Sequence, residues 1–221
     1  YPMGAKITSD MYRHGKIGKR EAEYLLTFTN HASPAFISTY LVHICLNDQA
    51  DRENVYLILF LSAFLTMLFF RFIIFKNHTV EEKNGLKPKM EPSKACSLGT
   101  LLDTSIMNGF ETIARLGGYI LLFSILSALV RHYWKSNAPA LCLFLGSLEL
   151  TTGLHFLSQA ALPFGVTYIL AMAMTSFGGL CILAQTKSVL HKELSVAPYI
   201  CAKCVNAVMT AVIALIFLKI V

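Results

Sequence analysis

Long stretches without any charged side chain constrain this chain more than any other feature. No Asp, Glu, Lys or Arg occurs in residues 24–47, 54–70, 116–130 and 150–186. A helix needs roughly 20 mostly apolar residues to cross a bilayer core of about 30 Å, and several of these stretches reach or approach that length. A buried helix of a soluble protein would explain one of them. Four in a chain of 221 residues predict an integral membrane protein.

The charged residues concentrate in the connecting segments. Only 14% of the residues are charged, against about 25% in soluble domains. The net charge of +6 comes mainly from residues 6–20 and 71–94. Basic connectors are typical of cytoplasmic loops, so we expect these two at the cytoplasmic face and the more acidic loop 47–54 outside. The placement favours a lipid bilayer as partner and argues against nucleic acid.

Hydrophobic segments recur along the whole chain, and three of them are interrupted. A separate amphipathic helix is predicted over residues 98–115, lying along the membrane interface. We predict an all-α fold, a polytopic helical membrane bundle with broken or re-entrant helices. The six predicted hydrophobic segments are residues 24–46, 55–75, 117–134, 138–158, 162–185 and 196–221.

The interruptions at residues 30–34, 149–153 and 176–179 mark the candidate binding site. Irregular backbone at membrane depth persists only where protein or water covers it, and transporters bind their solutes at such broken segments. A proline kink and close packing of small residues are the structural alternatives. The candidate binding residues are Thr29, Asn30, Ser33, Pro34, Glu149, Thr151, Thr152, Ser176, Gly178, Gly179 and Gln185.

Glu149 is the most informative of these residues, because an ionised side chain at mid-membrane costs about 2.5–3.5 kcal/mol on insertion scales. Such a residue faces a cavity, a partner or a proton path, unless the segment ends early and leaves it at the interface. Lys203 is a candidate partner. No metal-binding spacing joins the membrane histidines and no nucleophile motif is present, so we predict no metal, no cofactor and no enzymatic activity.

Several motifs together resemble the YlbJ-type sporulation integral membrane proteins. Two positions depart from that pattern, Thr152 where the family has Asn and His31 where a small polar residue is usual; both concern the substrate rather than the fold. The motifs, in chain order, are Tyr1-Pro2-Met3-Gly4-Ala5-Lys6, Gly15-Lys16-Ile17 with Glu21-Ala22-Glu23, Asn30 with Pro34, Phe36 and Ile37, Gly117-Gly118-Tyr119-Ile120, Leu148-Glu149-Leu150-Thr151-Thr152-Gly153 and Phe177-Gly178-Gly179-Leu180.

The resemblance implies a nucleoside-recognition, or Gate, domain similar to the concentrative nucleoside transporters, with two repeats of inverted topology. Residues 1–75 would be the remainder of the first repeat, with its N-terminal part missing. Residues 76–98 would form a basic cytoplasmic linker and 99–221 the second repeat. A similar spacing from Gly4 to Asn30 and from Gly178-Gly179 to Asn206 is a faint internal echo of two repeats.

The expected function is transport of a small anionic solute, dipicolinate-like or nucleoside-like, across a bacterial cell membrane during spore formation. A proton or cation would be the coupling ion, and a homo-oligomer is compatible with this organisation. One alternative is a structural membrane protein needed for spore assembly. Another is an intramembrane enzyme that uses Glu149 and a histidine.

Overall fold

The structure, a computed structural model, describes residues 2–76, 97–134 and 139–220. Over these ranges the chain forms helices and turns without a strand, which confirms the all-α prediction. The helices are α1 (Met3–Arg13), α2 (Lys19–Thr29), α3 (Pro34–Phe36) continued by a π-helix (Ile37–Cys45), α4 (Arg52–Phe69) continued by a π-helix (Phe70–Ile74), α5 (Leu98–Tyr133), α6 (Pro139–Leu148), α7 (Leu150–Gln159), α8 (Phe164–Phe177), α9 (Gly179–Val189) and α10 (Ala197–Ile220).

Four helical segments in the described part of the chain are long and apolar enough to cross a membrane. The protein is therefore an integral membrane protein, as its composition predicts. The four segments are Arg52–Ile74, Leu98–Tyr133, Phe164–Val189 and Ala197–Ile220. The remaining apolar length lies in shorter helices that end at breaks, namely α2 with α3 and α6 with α7.

Two helical hairpins, α1 with α2 and α9 with α10, pack side by side. The Tyr12 hydroxyl donates to the Glu193 carboxylate at 2.6 Å, and the Ser9 hydroxyl accepts from the His191 N–H at 2.8 Å. The two connecting turns therefore lie at the same end of the bundle, and the hairpins run in the same direction. Gly4 with Asn30 and Gly178-Gly179 with Asn206, whose similar spacing suggested two repeats, lie in these hairpins. Because the hairpins run in the same direction, they are not an inverted pair, and the inverted topology stays a prediction.

The apolar core lies around α8 and α10. Its fully buried members include Leu41 from the first π-helix, Ile58 from α4, Leu154 from α7 and Met172 from α8. A second apolar cluster lies under the two hairpin turns and joins Leu26 to residues of the second turn. α10 packs against α2, α4 and α8, so side chains on its inner face are enclosed by protein.

Helix α5 differs from its prediction, because it is one continuous helix of 36 residues. At 1.5 Å per residue it measures about 54 Å, well beyond the roughly 30 Å bilayer core. The expected boundary between an interfacial helix and a span, at Arg115 to Gly117, is absent. A Cβ on Gly117 or Gly118 would meet nothing within 4 Å, so no neighbouring element bends the helix at this pair.

The two ends of the bundle differ in charge as the sequence predicts. The Arg71 guanidinium lies 5.6 Å from the centre of the Tyr24 ring, so the end of α4 is next to α2 near the basic turn. The loop that joins the first π-helix to α4 lies at the other end of α4. In this loop a hydrogen bond from His43, at 2.5 Å, lowers the pKa of Asp48. Residues 77–96, most of the predicted linker, lie outside the described residues.

Candidate functional site

The first break separates α2 from α3 at residues 30–33. Pro34 cannot donate a backbone hydrogen bond, and its ring would clash with the carbonyl of Asn30 in a continuous helix. Ser33 then caps the next helix, since its hydroxyl accepts from the Phe36 N–H at 3.2 Å. Pro34 occupies the first turn of α3, where a missing N–H costs nothing. These two predicted residues shape the break.

Asn30 connects the break to the second hairpin. Its amide group donates to the Thr186 hydroxyl at 2.9 Å and to the Tyr199 hydroxyl at 2.8 Å. The Lys203 ammonium donates to the Asn30 carbonyl at 2.6 Å. Lys203 is only 1% exposed, so a cation lies inside the bundle against a carbonyl that the break has freed. The sequence suggested Glu149 as its partner, whereas this bond is to the Asn30 backbone.

Three buried side-chain atoms beside the first break have no hydrogen-bond partner among the described residues: Thr29 Oγ1, Asn30 Oδ1 and His31 Nε2. A cavity of about 40 Å³ lies next to them and is lined by His31, Thr175 and Ser176. Its size suits water or a small ion. The first and third predicted interruptions thus meet at a small cavity, in which His31, Thr175 and Ser176 are the polar members of a mostly apolar lining.

A polar stripe on α10 extends this region, and the sequence interpretation missed it. Ser176 and Thr210 are hydrogen-bonded at 2.7 Å, and Thr210 donates to the Ser62 hydroxyl at 2.8 Å. The Thr66 hydroxyl donates to the Asn206 amide oxygen at 3.3 Å. The stripe could have been found from its spacing of three and four residues along one helix face. Its members are Tyr199, Lys203, Asn206 and Thr210.

The second break forms the tip of a helical hairpin made by α6 and α7. A Cβ on Gly153 would lie 2.1 Å from the Gly146 Cα, so the two helices are in backbone contact there. Glu149, 4% exposed, stands at the tip with extended backbone. Its carboxylate accepts from the Thr151 N–H at 3.0 Å and from the Thr152 N–H at 2.6 Å.

Glu149 therefore has a structural role as the N-cap of α7. The Thr151 hydroxyl donates a third hydrogen bond to it at 2.6 Å. The positive end of the helix dipole favours a carboxylate at this position. The predicted role of Glu149 in ion coupling stays a prediction.

The third break touches the second. Gly178 and Gly179 have φ angles of +87° and +84°, which side chains rarely adopt. A Cβ on Gly179 would lie 2.9 Å from the Gly146 carbonyl oxygen and 3.2 Å from that of Ser147. The glycines thus let α9 begin directly against the end of α6. Gln185, further along α9, is buried and donates to the Cys181 sulfur at 3.3 Å.

A larger cleft of about 290 Å³ lies on the α5 side of the hairpin. Thr151 and Thr152 line it, together with residues that the sequence interpretation had not selected. The Tyr40 hydroxyl donates to the Thr151 carbonyl at 2.8 Å, and the Arg131 guanidinium lies 4.0 Å from the Phe156 ring centre. The polar side chains of the cleft are Tyr40, Ser124, Arg131, Thr151, Thr152 and His155.

Three of the predicted site residues line the two cavities described above, and the convergence of all three breaks on one site stays a prediction. Ser176 lines the small cavity beside the first break, and Thr151 and Thr152 line the larger cleft. Contact between Gly179 and the end of α6 connects the two regions. Arg131 and His155 were missed because they are far apart in sequence and meet only through the packing of α5 on the hairpin.

Comparison with known proteins gives one distant relative. The sporulation integral membrane protein YlbJ of Bacillus subtilis (strain 168) is 22% identical over 252 residues, which cover 99% of this chain and 61% of that protein. The chain is similar to YlbJ. This confirms the resemblance drawn from the motifs, although the chain spans only about three fifths of its relative. No family model matches the chain, and no solved structure matches it.

Proposed function

We propose that this protein transports a small anionic solute across a bacterial membrane and does not catalyse a reaction. The observation that carries the proposal is the cleft beside the Glu149 hairpin. Its volume of about 290 Å³ lies at the lower limit of small-molecule sites. Arg131 supplies a permanent positive charge, and its planar group binds carboxylates through two parallel hydrogen bonds.

The neighbours of Arg131 suit an anion with a flat apolar body. The hydroxyls of Thr151 and Thr152 line the same cleft, as does the His155 ring. Phe156 offers an aromatic face on which Arg131 already stacks. In its described contacts Arg131 has no carboxylate partner, which leaves its donors open to a solute. A dipicolinate-like dicarboxylate fits this chemistry better than an uncharged nucleoside.

The small cavity that His31, Thr175 and Ser176 line would hold a coupling ion in this proposal. The unpartnered Nε2 atom of His31 would contact it, and the unpartnered oxygens of Thr29 and Asn30 belong to the two residues that precede His31 in the chain. Each of the two cavities lies beside a broken helix. Contact between Gly179 and the end of α6 would transmit a conformational change at one cavity to the other.

We place the transport step in spore formation, in the mother-cell or forespore membrane. The support is the similarity to a protein whose name describes a sporulation integral membrane protein. Since the chain covers 61% of that relative, the whole transporter would include parts beyond this chain. Inverted repeats and a homo-oligomer belong to the same proposal.

Uptake by the full-length protein in proteoliposomes tests the function. Labelled dipicolinate should accumulate faster than labelled uridine, and Arg131→Gln should reduce dipicolinate uptake at least tenfold, because a hydrogen bond to a charged group contributes about 1.5–3 kcal/mol. Arg52→Gln is the matched control, since Arg52 is exposed and pairs with Asp48 at 3.7 Å. Its uptake should equal that of the wild type.

Three results would contradict the proposal. Equal uptake by protein-containing and empty liposomes, for both solutes, would favour the structural role in spore assembly. Turnover of a membrane substrate that is lost in Glu149→Gln would favour the intramembrane enzyme. Equal loss of uptake in the Arg131 and Arg52 variants would show that Arg131 has no specific role, and that the cleft is not part of the solute path.

A further inference from the structure

A second polar cleft lies at the basic end of the bundle, far from the proposed solute site along α5. It is formed by α1, the N-terminal half of α5 and the turn after α9, and has a volume of about 340 Å³. The residues of α5 in this cleft lie within 108–115, while those in the solute cleft lie within 124–131. The centres of the two ranges are about 16 helical residues apart, which corresponds to about 24 Å.

The cleft carries an excess of positive charge. Arg13 lies 3.9 Å from the Asp10 carboxylate, and Arg115 is paired with Glu111, so these four charges balance. Lys6 and Lys192 also line the cleft, and neither makes an ion pair with a described residue.

The two lysines come from separate elements, since Lys6 is on α1 and Lys192 follows α9. They line the same cleft, in which the Asp10 and Glu111 carboxylates are paired with Arg13 and Arg115. His191 also lines the cleft; its backbone N–H donates to the Ser9 hydroxyl, and its ring makes an edge contact with Tyr12.

An apolar surface continues from the cleft along α5. Phe110 and Ile113 are adjacent in sequence to the cleft residues Glu111 and Thr112 and are 66% and 68% exposed. The cleft lies at the end of the bundle where basic residues gather, which the positive-inside rule assigns to the cytoplasmic leaflet. A polar, cationic recess next to exposed apolar side chains at that depth matches an amphiphile with an anionic head and apolar tails.

We propose that this cleft binds the phosphodiester headgroup of an anionic phospholipid, with the acyl chains along the exposed face of α5. Lys6 and Lys192 neutralise the phosphate, and the Thr112 hydroxyl and the His191 ring border it. Basic pockets between membrane helices on the cytoplasmic side bind such headgroups. The bound headgroup then contacts α1, α5 and the turn after α9, all of which line the cleft. This inference does not depend on the transport function.

Native mass spectrometry of the purified full chain in detergent tests the lipid site. Phosphatidylglycerol and phosphatidylcholine are added at equal concentrations, and the bound lipids are counted. The wild type should retain phosphatidylglycerol preferentially. Lys6→Gln combined with Lys192→Gln should weaken that binding about 30-fold, from the usual contribution of two basic residues at a membrane surface, and should leave phosphatidylcholine binding unchanged.

The matched control is Lys16→Gln combined with Lys19→Gln. It removes the same charge from exposed lysines that do not line the cleft, and it should keep the preference for phosphatidylglycerol. Thr112→Glu is an independent variant that places a carboxylate in the cleft and should also abolish the preference. Retention of the preference in a folded Thr112→Glu protein would overturn the proposal.

Two further outcomes would also overturn it. Equal weakening by the two lysine pairs would mean that lipid binding depends on diffuse surface charge. Displacement of the lipid by inorganic phosphate at the same concentration would mean that the cleft recognises free phosphate. Failure of inorganic phosphate to compete, together with loss in the cleft variant alone, supports a lipid headgroup site.

Discussion

Substituting Gly153 by Ala should force apart the two helices that form the Glu149 hairpin. The new Cβ would lie 2.1 Å from the Gly146 Cα and 2.4 Å from its backbone nitrogen. Carbon atoms in contact prefer about 3.5–4.0 Å, so the helices must separate by about 1 Å or more. Both clashing atoms are backbone, and no side-chain rotation relieves the overlap.

The expected loss of stability follows from two opposing effects. Overpacking a close contact costs about 1–3 kcal/mol. Replacing a helical glycine by alanine returns about 0.5–1 kcal/mol, because the unfolded chain loses conformational freedom. The net loss in the free energy of unfolding should be about 1–2 kcal/mol. For a chain of this length each kcal/mol lowers Tm by about 2–4 °C.

A thiol-reactive fluorophore measures this change in detergent micelles. Cys45, Cys142 and Cys181 are free and buried, whereas Cys201 and Cys204 are exposed. Every thiol that reacts in the folded protein is blocked first with a non-fluorescent reagent, so that the later signal reports exposure of the buried thiols on heating.

Gly118→Ala is the matched control for this measurement, because a Cβ there meets nothing within 4 Å. It should leave Tm unchanged or raise it slightly. An unfolding midpoint for Gly153→Ala equal to that of Gly118→Ala would refute the backbone contact between α6 and α7. Uptake by Gly153→Ala should fall as well, since the hairpin tip carries Thr151 and Thr152.

Three further predictions concern single polar side chains. Asn30→Ala should lower the free energy of unfolding by about 1–3 kcal/mol, because it leaves buried hydroxyls without their donor. Asn54→Ala, which removes a solvent-exposed hydrogen bond to Asp51, should change it by no more than about 0.5 kcal/mol. Thermal unfolding compares the two variants, and equal effects would contradict the hydrogen-bond network around Asn30. Glu149→Gln should abolish the pH dependence of uptake, measured per folded protein. It should also lower Tm, since an amide accepts hydrogen bonds through one oxygen only. An uptake with the pH dependence of the wild type would exclude Glu149 from ion coupling. The pKa of Asp48 is lowered in the folded protein, so its contribution to stability is present above its unfolded pKa of about 4 and is lost as the pH falls below that value. Asp48→Asn should therefore weaken the dependence of Tm on pH between about pH 5 and 3. Plots of Tm against pH that are parallel for the variant and the wild type would contradict this.

The positions of the helix breaks could be predicted from the sequence because their causes are local. Pro34 must interrupt a helix, and adjacent glycines at 178 and 179 permit the left-handed backbone found there. Glu149 is an ionisable residue within an apolar run, which marks an irregular position in a membrane segment, and in the structure its carboxylate caps α7. Each of these signals lies within a few residues of its effect.

The partners at the breaks could not be predicted, because they come from distant parts of the chain. Asn30 bonds to Thr186, 156 residues away, and to Lys203, 173 residues away. Hydrophobic periodicity shows which residues share a helix face, but it does not show which helices pack together. The continuous α5 was missed for a related reason, since a charged residue and two glycines suggested an end that no packing contact imposes.

A break in a membrane helix exposes polar groups whose hydrogen bonds lipid cannot supply. The groups that remain without a hydrogen bond at each break therefore indicate where a ligand gains the most free energy by binding. The Glu149 break is closed by its own carboxylate, and the glycine break is closed by contact with the end of α6. The Asn30 break is closed only in part, since Lys203 satisfies its carbonyl while Asn30 Oδ1 and His31 Nε2 are buried without a partner in the described structure. Each unsatisfied buried group costs about 1–3 kcal/mol, and a bound ion or water that supplied the missing bonds would recover that free energy. Of the three breaks, the first therefore offers a bound ion or water the most unsatisfied hydrogen-bonding atoms, and its His31 lines the cavity that Ser176 of the third break also lines.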